Sequence, residues 1–458
     1  MSEIHDITKD KLNAVGCGFC LAKWTQVTMH LQTGFNHSCH HPSVHKIPLE
    51  EIERNPKALH NTKFKKLKRR EMLNGERPSE CDYCWNIEDN STSYSDRIYK
   101  SAEPWSEPYL NEIKESRWNA DFNPRYVEVS FSNVCNFKCS YCGPEYSSQW
   151  LQEIKQHGGY PTTPTFNSYE SLVNRNSVPI LHSDPNPYVD AFWEWWPELY
   201  RDLNTFRITG GEPLLSKDTW KVLDYIIEEK NPNRELKFAI NSNLGADDAL
   251  IDKLIDKLEI IINEDRVKEV IIFTSIDSYG KQAEYIRHGL NVDKFWFNID
   301  KLLTRLPKLT ITVMSTYNLL SPFSYNDLIK NIYDIKQKHA NSERYWMHPI
   351  LLDTSYLRYP KHLSVKLLSP EHKELILKNA ETALYYGVTV FDHEHMGITE
   401  TEIRKIKRIY DWAISPTTDD IIFERKNLKK FLVEHDIRRN TNFLNDFPEL
   451  TNFYNDIH

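Results

Sequence analysis

Three cysteines fall close together in Cys135-Asn136-Phe137-Lys138-Cys139-Ser140-Tyr141-Cys142, separated by three and then two residues. Three soft thiolates on so short a loop can hold three irons of a [4Fe-4S] cube and leave the fourth iron without a protein ligand. An open iron can bind a second molecule and act on it. Zinc is the competing reading, because it also takes cysteine thiolates. A structural zinc normally has a fourth protein ligand, however, and no cysteine follows Cys142 in the chain.

About seventy residues downstream, Phe206-Arg207-Ile208-Thr209 reads as a short strand running into Gly210-Gly211-Glu212-Pro213, with a helical stretch beginning near Lys217. Two glycines let a backbone approach a ligand closely, and the carboxylate beside them can accept a hydrogen bond from an ammonium group. By itself the tetrapeptide is only a turn. Behind the cysteine loop, in a strand-turn-helix context, it becomes a site.

The cysteine spacing, with the aromatic Tyr141 just before the third cysteine, resembles the signature of the radical S-adenosylmethionine (SAM) superfamily. The resemblance implies that Cys135, Cys139 and Cys142 hold a catalytic [4Fe-4S] cluster whose open iron chelates SAM. It further implies reductive cleavage of SAM to a 5'-deoxyadenosyl radical, with the electron coming from a low-potential donor such as flavodoxin or ferredoxin. Gly210, Gly211 and Glu212 would meet the SAM amino group. Ser242 and Asn243 fall where the family places ribose or carboxylate contacts, Ser275 ends the next strand, and Arg287 matches an arginine that reaches the SAM carboxylate. Bidentate geometry suits arginine to that task. Singly, each of these four residues reads equally well as strand-end capping or a surface charge.

These residues need a frame, and the chain supplies a strand-then-helix rhythm. Expected strands are Tyr126–Phe131, Thr205–Thr209, Leu236–Asn241, Glu269–Ser275, Leu309–Ser315 and Tyr345–Leu352. Helical periodicity lies between most of them, at Trp220–Glu228, Leu250–Ile262 and Phe295–Leu306. The expected fold class is α/β. The strand count suits the partial (β/α)6 barrel of radical SAM proteins, with the site at the carboxyl ends of the strands.

A second cysteine set precedes this frame. Cys20, Cys39 and the pair Cys81-Asp82-Tyr83-Cys84, with Gly34 between the first two, resemble the auxiliary-cluster domain called twitch, the shorter relative of the SPASM domain. That likeness implies a second [4Fe-4S] cluster with four cysteine ligands, whose role would be electron transfer. In most members of that pattern the domain follows the barrel, whereas here it comes first. Zinc is a stronger rival at this site, because four thiolates complete a tetrahedron and His37, His40, His41 and His45 crowd around Cys39. Cys17 is left over, as an alternative ligand for Cys20, a substrate-facing thiol or simply a small residue near the cluster.

The sequence divides into a twitch-like region at 1–100, a proline-marked linker at 101–123, a barrel at 124–360 with an irregular insertion at about 157–190, and a helical extension at 361–458. All eight cysteines lie in the first 142 of 458 residues, which is not how a secreted disulfide protein distributes them. With no signal peptide and no apolar run long enough to span a bilayer, a soluble cytoplasmic protein is expected. A net charge of -8 argues against general affinity for nucleic acid. The basic run Lys63–Arg70 reads as a solvated helix face, with a local site for an anionic partner as the alternative, and Phe192-Trp193-Glu194-Trp195-Trp196 as the buried face of a helix rather than an aromatic recognition patch. The insertion and tail could frame an extended substrate, so a peptide or protein is the expected target. A small sugar or alcohol is the alternative substrate, and a zinc-stabilised binding protein without catalysis is the reading from another class.

Overall fold

The computed structural model describes residues 2–340, 348–387 and 396–457. Its centre is a nine-stranded sheet. In chain order the strands are β1 (Gln26–His30), β2 (Phe35–His37), β3 (His45–Lys46), β4 (Tyr126–Ser130), β5 (Lys138–Cys139), β6 (Thr205–Thr209), β7 (Lys237–Asn241), β8 (Glu269–Ser275), β9 (Arg287–His288), β10 (Thr310–Tyr317) and β11 (Ile350–Tyr356). Across the sheet the order is β11-β10-β8-β7-β6-β4-β1-β2-β3, while β5 and β9 form a separate antiparallel pair. Every pairing from β11 to β1 is parallel, and only β2 and β3 are antiparallel.

Side chains in register share a face. One row, Met29, Val129, Ile208, Ile240, Ile272, Ile311 and Ile350, is apolar across all the parallel strands. All of these residues are buried. Each such side chain contributes about 1.5–3 kcal/mol by leaving water. The alternate positions carry polar groups, including Thr28, Glu128 and Arg207 side by side. The sheet thus has an apolar face for its helices and a polar face for function.

The connecting helices Lys217–Glu228 and Asp248–Asn263 contain the periodic segments expected from the sequence, and Val292–Arg305 contains the third but for its last residue, Leu306, which caps the helix. The last expected strand differs. Residues 345–347 lie outside the described residues, and β11 runs further, to Tyr356. The tryptophan-rich segment lies in the helix Pro187–Asp202, with Phe192, Trp195 and Trp196 buried.

The N-terminal region does not stand apart from this sheet. β1 is an additional parallel strand, tied to β4 beyond both its ends by the Arg125 amide on the Thr25 carbonyl at 2.8 Å and the Leu31 amide on the Ser130 carbonyl at 2.9 Å. The same region also has a core of its own, built on Phe19, Trp24, Met72, Trp85, Ile113 and Phe122. Ile113 and Phe122 belong to the stretch expected to be a linker. Their burial in this core makes residues 101–123 part of the packed N-terminal unit.

The basic run is a correction to the sequence reading. It lies in the helix Lys63–Leu73, but Lys65 and Arg69, one helical turn apart, are 1% and 0% exposed. Only the remaining charges of the run face solvent. At the other end of the chain, the helix Glu400–Ile414 covers the β11 edge, where Glu402 accepts a hydrogen bond from the Leu352 amide at 2.7 Å. The helix Ile421–Arg439 reaches the three-cysteine loop, with Arg439 Nη1 donating to the Lys138 carbonyl at 2.6 Å. No helix among the described residues is long and apolar enough to cross a membrane.

Candidate functional site

The three-cysteine loop leaves the carboxyl end of β4 and is pinned from several sides. Cys139 lies in β5 and pairs with Arg287 of β9. Ser147 caps the helix Ser148–His157 and also donates from Oγ to the Phe137 carbonyl at 2.7 Å. Trp150 Nε1 donates to the Cys139 carbonyl at 2.9 Å. Polar hydrogens also reach the sulfurs themselves. The Phe137 amide lies 3.4 Å and Asn243 Nδ2 4.0 Å from Cys135 Sγ, while Arg287 Nη1 lies 3.5 Å from Cys139 Sγ. Such donors stabilise sulfur as thiolate.

The glycine turn packs directly on this loop. Gly210 has φ +77° and Gly211 φ +49°. A Cβ on Gly210 would fall 1.7 Å from Ser130 Oγ, and one on Gly211 would fall 2.3 Å from the Val134 carbonyl. The expected reason for the glycines was close approach to a ligand. In the structure, what they admit is the chain's own segment leading into Cys135, held by the Glu212 amide on the Val134 carbonyl at 2.7 Å.

Glu212, Ser242 and Asn243 come together. The buried Glu212 carboxylate accepts from Ser242 Oγ at 2.8 Å, the Asn243 amide at 2.6 Å and the Leu214 amide at 3.1 Å. Asn243 Nδ2 in turn donates to Asn136 Oδ1 at 2.8 Å, closing a circuit from the β6 turn through the end of β7 to the cysteine loop. An ionised carboxylate offers about four acceptor positions, so one remains for a further donor.

Burial raises Glu212 to about 7, against the three hydrogen bonds that pull it down. Between its ordinary value of 4.5 and about 7, the folded chain keeps a proton that the unfolded chain has lost. Stability from the neutral carboxyl is therefore complete below about pH 4.5 and is lost as pH rises through about 7. In urea unfolding of the metal-free protein, wild type should lose about 3 kcal/mol relative to Glu212→Gln across that window. Parallel pH profiles for the two proteins would contradict this assignment.

Arg287 also has its partners in place. Nε and Nη2 bind the two oxygens of the buried Asp277 at 2.8 and 3.2 Å, Nη2 reaches Tyr141 Oη, and Nη1 reaches Cys139. Of five N–H bonds, one is left over. The guanidinium fork therefore grips the chain's own carboxylate, and no bidentate grip on a ligand carboxylate remains. Ser275 sits at the carboxyl end of β8, in register with Met314 of β10. Sequence reasoning missed Asn136 and Arg439, because nothing in their spacing marks residues that act by holding a loop. It also missed the hydrogen-bonding role of Tyr141, although that residue belongs to the motif.

Cys20, Cys39, Cys81 and Cys84 line one cavity, together with His41, Asp96, Arg97 and Lys100. Cys20 precedes β1, Cys39 follows β2, and the pair sits at the start of the helix Asp82–Asn90, so the β1–β2 hairpin is the device that gathers them. His41 stacks on Tyr83 at 3.6 Å and pairs with Asp96 at 2.8 Å. Tyr83 also interacts with Arg358, just beyond β11, which links the N-terminal region to the far edge of the sheet. Cys17 is exposed, and its thiol faces the Gly75 carbonyl at 3.2 Å. Among the described residues, no group of three or more His, Cys, Asp or Glu is arranged to hold a single metal ion.

Burial pushes up the thiols of both sets. Cys39 rises to about 11, Cys81, Cys84 and Cys142 to about 12, and Cys20, Cys135 and Cys139 move in the same direction. A metal centre must displace these protons, so loading either set releases acid. The donor chemistry fits thiolate-bound iron at both places.

The chain is 22% identical over 268 residues to a GTP 3',8-cyclase of Clostridium botulinum, a match covering 57% of this chain and 69% of that protein. A GTP 3',8-cyclase of Psychromonas ingrahamii is 30% identical over 117 residues, or 26% of each chain. One of a Sulfurovum species is 27% identical over 119 residues, 26% of this chain and 27% of the relative. The chain thus spans about a quarter of the length of the latter two. No protein-family model matches it. GTP 3',8-cyclases are radical SAM enzymes, and the similarity supports radical SAM chemistry, with a [4Fe-4S] cluster and SAM, for this chain.

Proposed function

We propose that this chain is a radical SAM enzyme with two [4Fe-4S] clusters that modifies a peptide or protein. The observation that carries this reading is the circuit joining Cys135, Asn136, Asn243 and Glu212, which puts the three-cysteine loop and the glycine turn into one site. Cys135, Cys139 and Cys142 would each hold one iron. Glu212 would take the SAM ammonium on its remaining acceptor position, with Ser242 and Asn243 orienting the carboxylate, Gly210 and Gly211 seating the turn, and Ser275 lining the carboxyl end of the next strand. Arg287 would use its one remaining N–H toward SAM while bracing Cys139. Bound together, the cluster and SAM supply the electron that cleaves SAM and the radical that abstracts hydrogen.

Cys20, Cys39, Cys81 and Cys84 would ligate the second cluster fully, leaving it to carry electrons. GTP, named for the relatives, does not suit this chain's polar sheet face. At mid-sheet the inward positions offer the guanidinium of Arg207, already held by Asn241 at 2.7 Å, by Met314 at 3.3 Å and over the Phe273 ring at 3.8 Å, with Glu128 beside it. A triphosphate would meet an occupied cation and a carboxylate. An extended substrate is supported by a cleft of about 540 Å³ beside Cys142, walled by Tyr146, Tyr359 and the insertion residues Phe166, Asn167 and Arg175.

The test is anaerobic. Protein reconstituted with iron and sulfide, reduced and given SAM, should release 5'-deoxyadenosine, and peptides encoded next to it and co-expressed should change mass. Stoichiometric zinc without a brown chromophore after that treatment would defeat the enzyme reading. Release of 5'-deoxyadenosine stimulated by a sugar or alcohol, with every peptide unchanged, would favour small-molecule oxidation.

A further inference from the structure

Beside the N-terminal cysteines lies a group of buried basic residues, two of them from the run expected to face solvent. Lys65 and Arg69 project from one face of the helix Lys63–Leu73, and Lys23 comes from the short helix before β1. Their exposures are 1%, 0% and 3%. His60 bridges the first two, with Nδ1 2.8 Å from Lys65 Nζ and Nε2 2.9 Å from Arg69 Nη2. Lys23 pairs with Glu80, the residue before Cys81. Lys23 interacts electrostatically with Cys81, Glu80 and Cys39, whereas burial beside Arg69 and Lys23 drives Lys65 well below the usual lysine range, toward the neutral amine. Across the cavity Arg97 is matched by Glu88 and Asp96 by His41. Arg69 is answered by Asp121, and Lys23 by Glu80, which leaves Lys23 as the buried cation that faces the thiols.

Unmatched charge in an interior is costly unless a counter-charge accompanies it. A cube of four irons held by four thiolates is a dianion when oxidised and a trianion when reduced, and a nearby fixed cation favours the more negative state. We propose that Lys23, buried on the turn that follows Cys20 with its amide 3.3 Å from the Cys20 carbonyl, is the fixed cation that balances the N-terminal cluster and raises its reduction potential, poising it to accept electrons. The proposal rests on the reading that Cys20, Cys39, Cys81 and Cys84 hold an iron–sulfur cluster. It adds which residues set the potential of that cluster and in which direction.

The test is a dithionite titration, followed by electron paramagnetic resonance, of full-length protein in which Cys135, Cys139 and Cys142 are alanine, so that one cluster reports. Adding Lys23→Met should lower the midpoint by at least a tenfold change in the one-electron equilibrium, about 59 mV. Adding Glu80→Gln should move it the opposite way, because it removes the carboxylate that partly cancels Lys23. The opposed signs separate charge from packing, and Glu80→Gln remains informative if Lys23→Met does not fold. A loaded cluster whose midpoint moves in neither variant, or in the same direction in both, overturns this inference alone. A parent protein that takes up zinc and no iron overturns both the cluster reading and this inference.

Discussion

Replacing Cys135, Cys139 and Cys142 together by alanine should bring 5'-deoxyadenosine release down to background and roughly halve the iron. Reconstituted wild type should carry about eight irons in two clusters, and the triple variant about four. The size of the effect follows from where the sulfurs stand. Cys135 is served by the Phe137 amide and Asn243, and Cys139 by Arg287. No other cysteine of the chain belongs to that loop, so no thiolate can replace them. Far-ultraviolet circular dichroism should be unchanged, because Ser147, Trp150 and Arg439 hold the loop by its carbonyls and not by its sulfurs. A triple variant that still cleaves SAM, or keeps its full iron, would place the catalytic centre elsewhere.

Asp277→Asn should produce the largest loss of stability among single substitutions at this site. Asp277 accepts from Arg287 at 2.8 and 3.2 Å, from Tyr141 Oη at 2.8 Å and from the Thr316 amide at 2.8 Å, and it is fully buried. Losing its charge leaves the Arg287 guanidinium buried without a counter-ion, which costs about 3–5 kcal/mol. The damage should spread to the cysteine loop, because Arg287 sits in β9 opposite Cys139 in β5. Urea unfolding at pH 7 and the iron retained after desalting report the two parts separately. A stability loss under about 1 kcal/mol would mean that the pair carries little of the load.

Much of the frame was legible in the chain. Glu269–Ser275 and Thr205–Thr209 alternate buried and half-buried residues and end in polar groups, so both strands are where the pattern places them. The helix Val292–Arg305 follows equally well from its apolar spacing. Gln26–His30 was harder. Its strict alternation of polar and apolar residues fits a strand, but five residues do not say which sheet they will join. The basic helix misled for a related reason. Lysines and arginines usually remain in water, and a run of them gives no hint that two will be turned inward by the packing of Trp24 and His60 around them.

The sequence by itself determined the chemistry available: three thiols at a spacing that can leave an iron open, a glycine turn ending in a carboxylate, and a second set of four thiols. It also determined the parallel α/β frame, because strand and helix periodicities are local properties of the chain. Only the tertiary structure decided the partnerships. Glu212 meets Ser242 and Asn243 because parallel pairing of β6 and β7 brings two strand ends together. Arg287 is bound to Asp277 rather than left open, since a buried guanidinium takes the nearest carboxylate. β1 joins β4 across roughly a hundred intervening residues because Val27 and Met29 find the apolar face and Thr28 the polar one. Such pairings depend on which surfaces are buried against each other, and burial is a property of the folded molecule, not of any segment read alone.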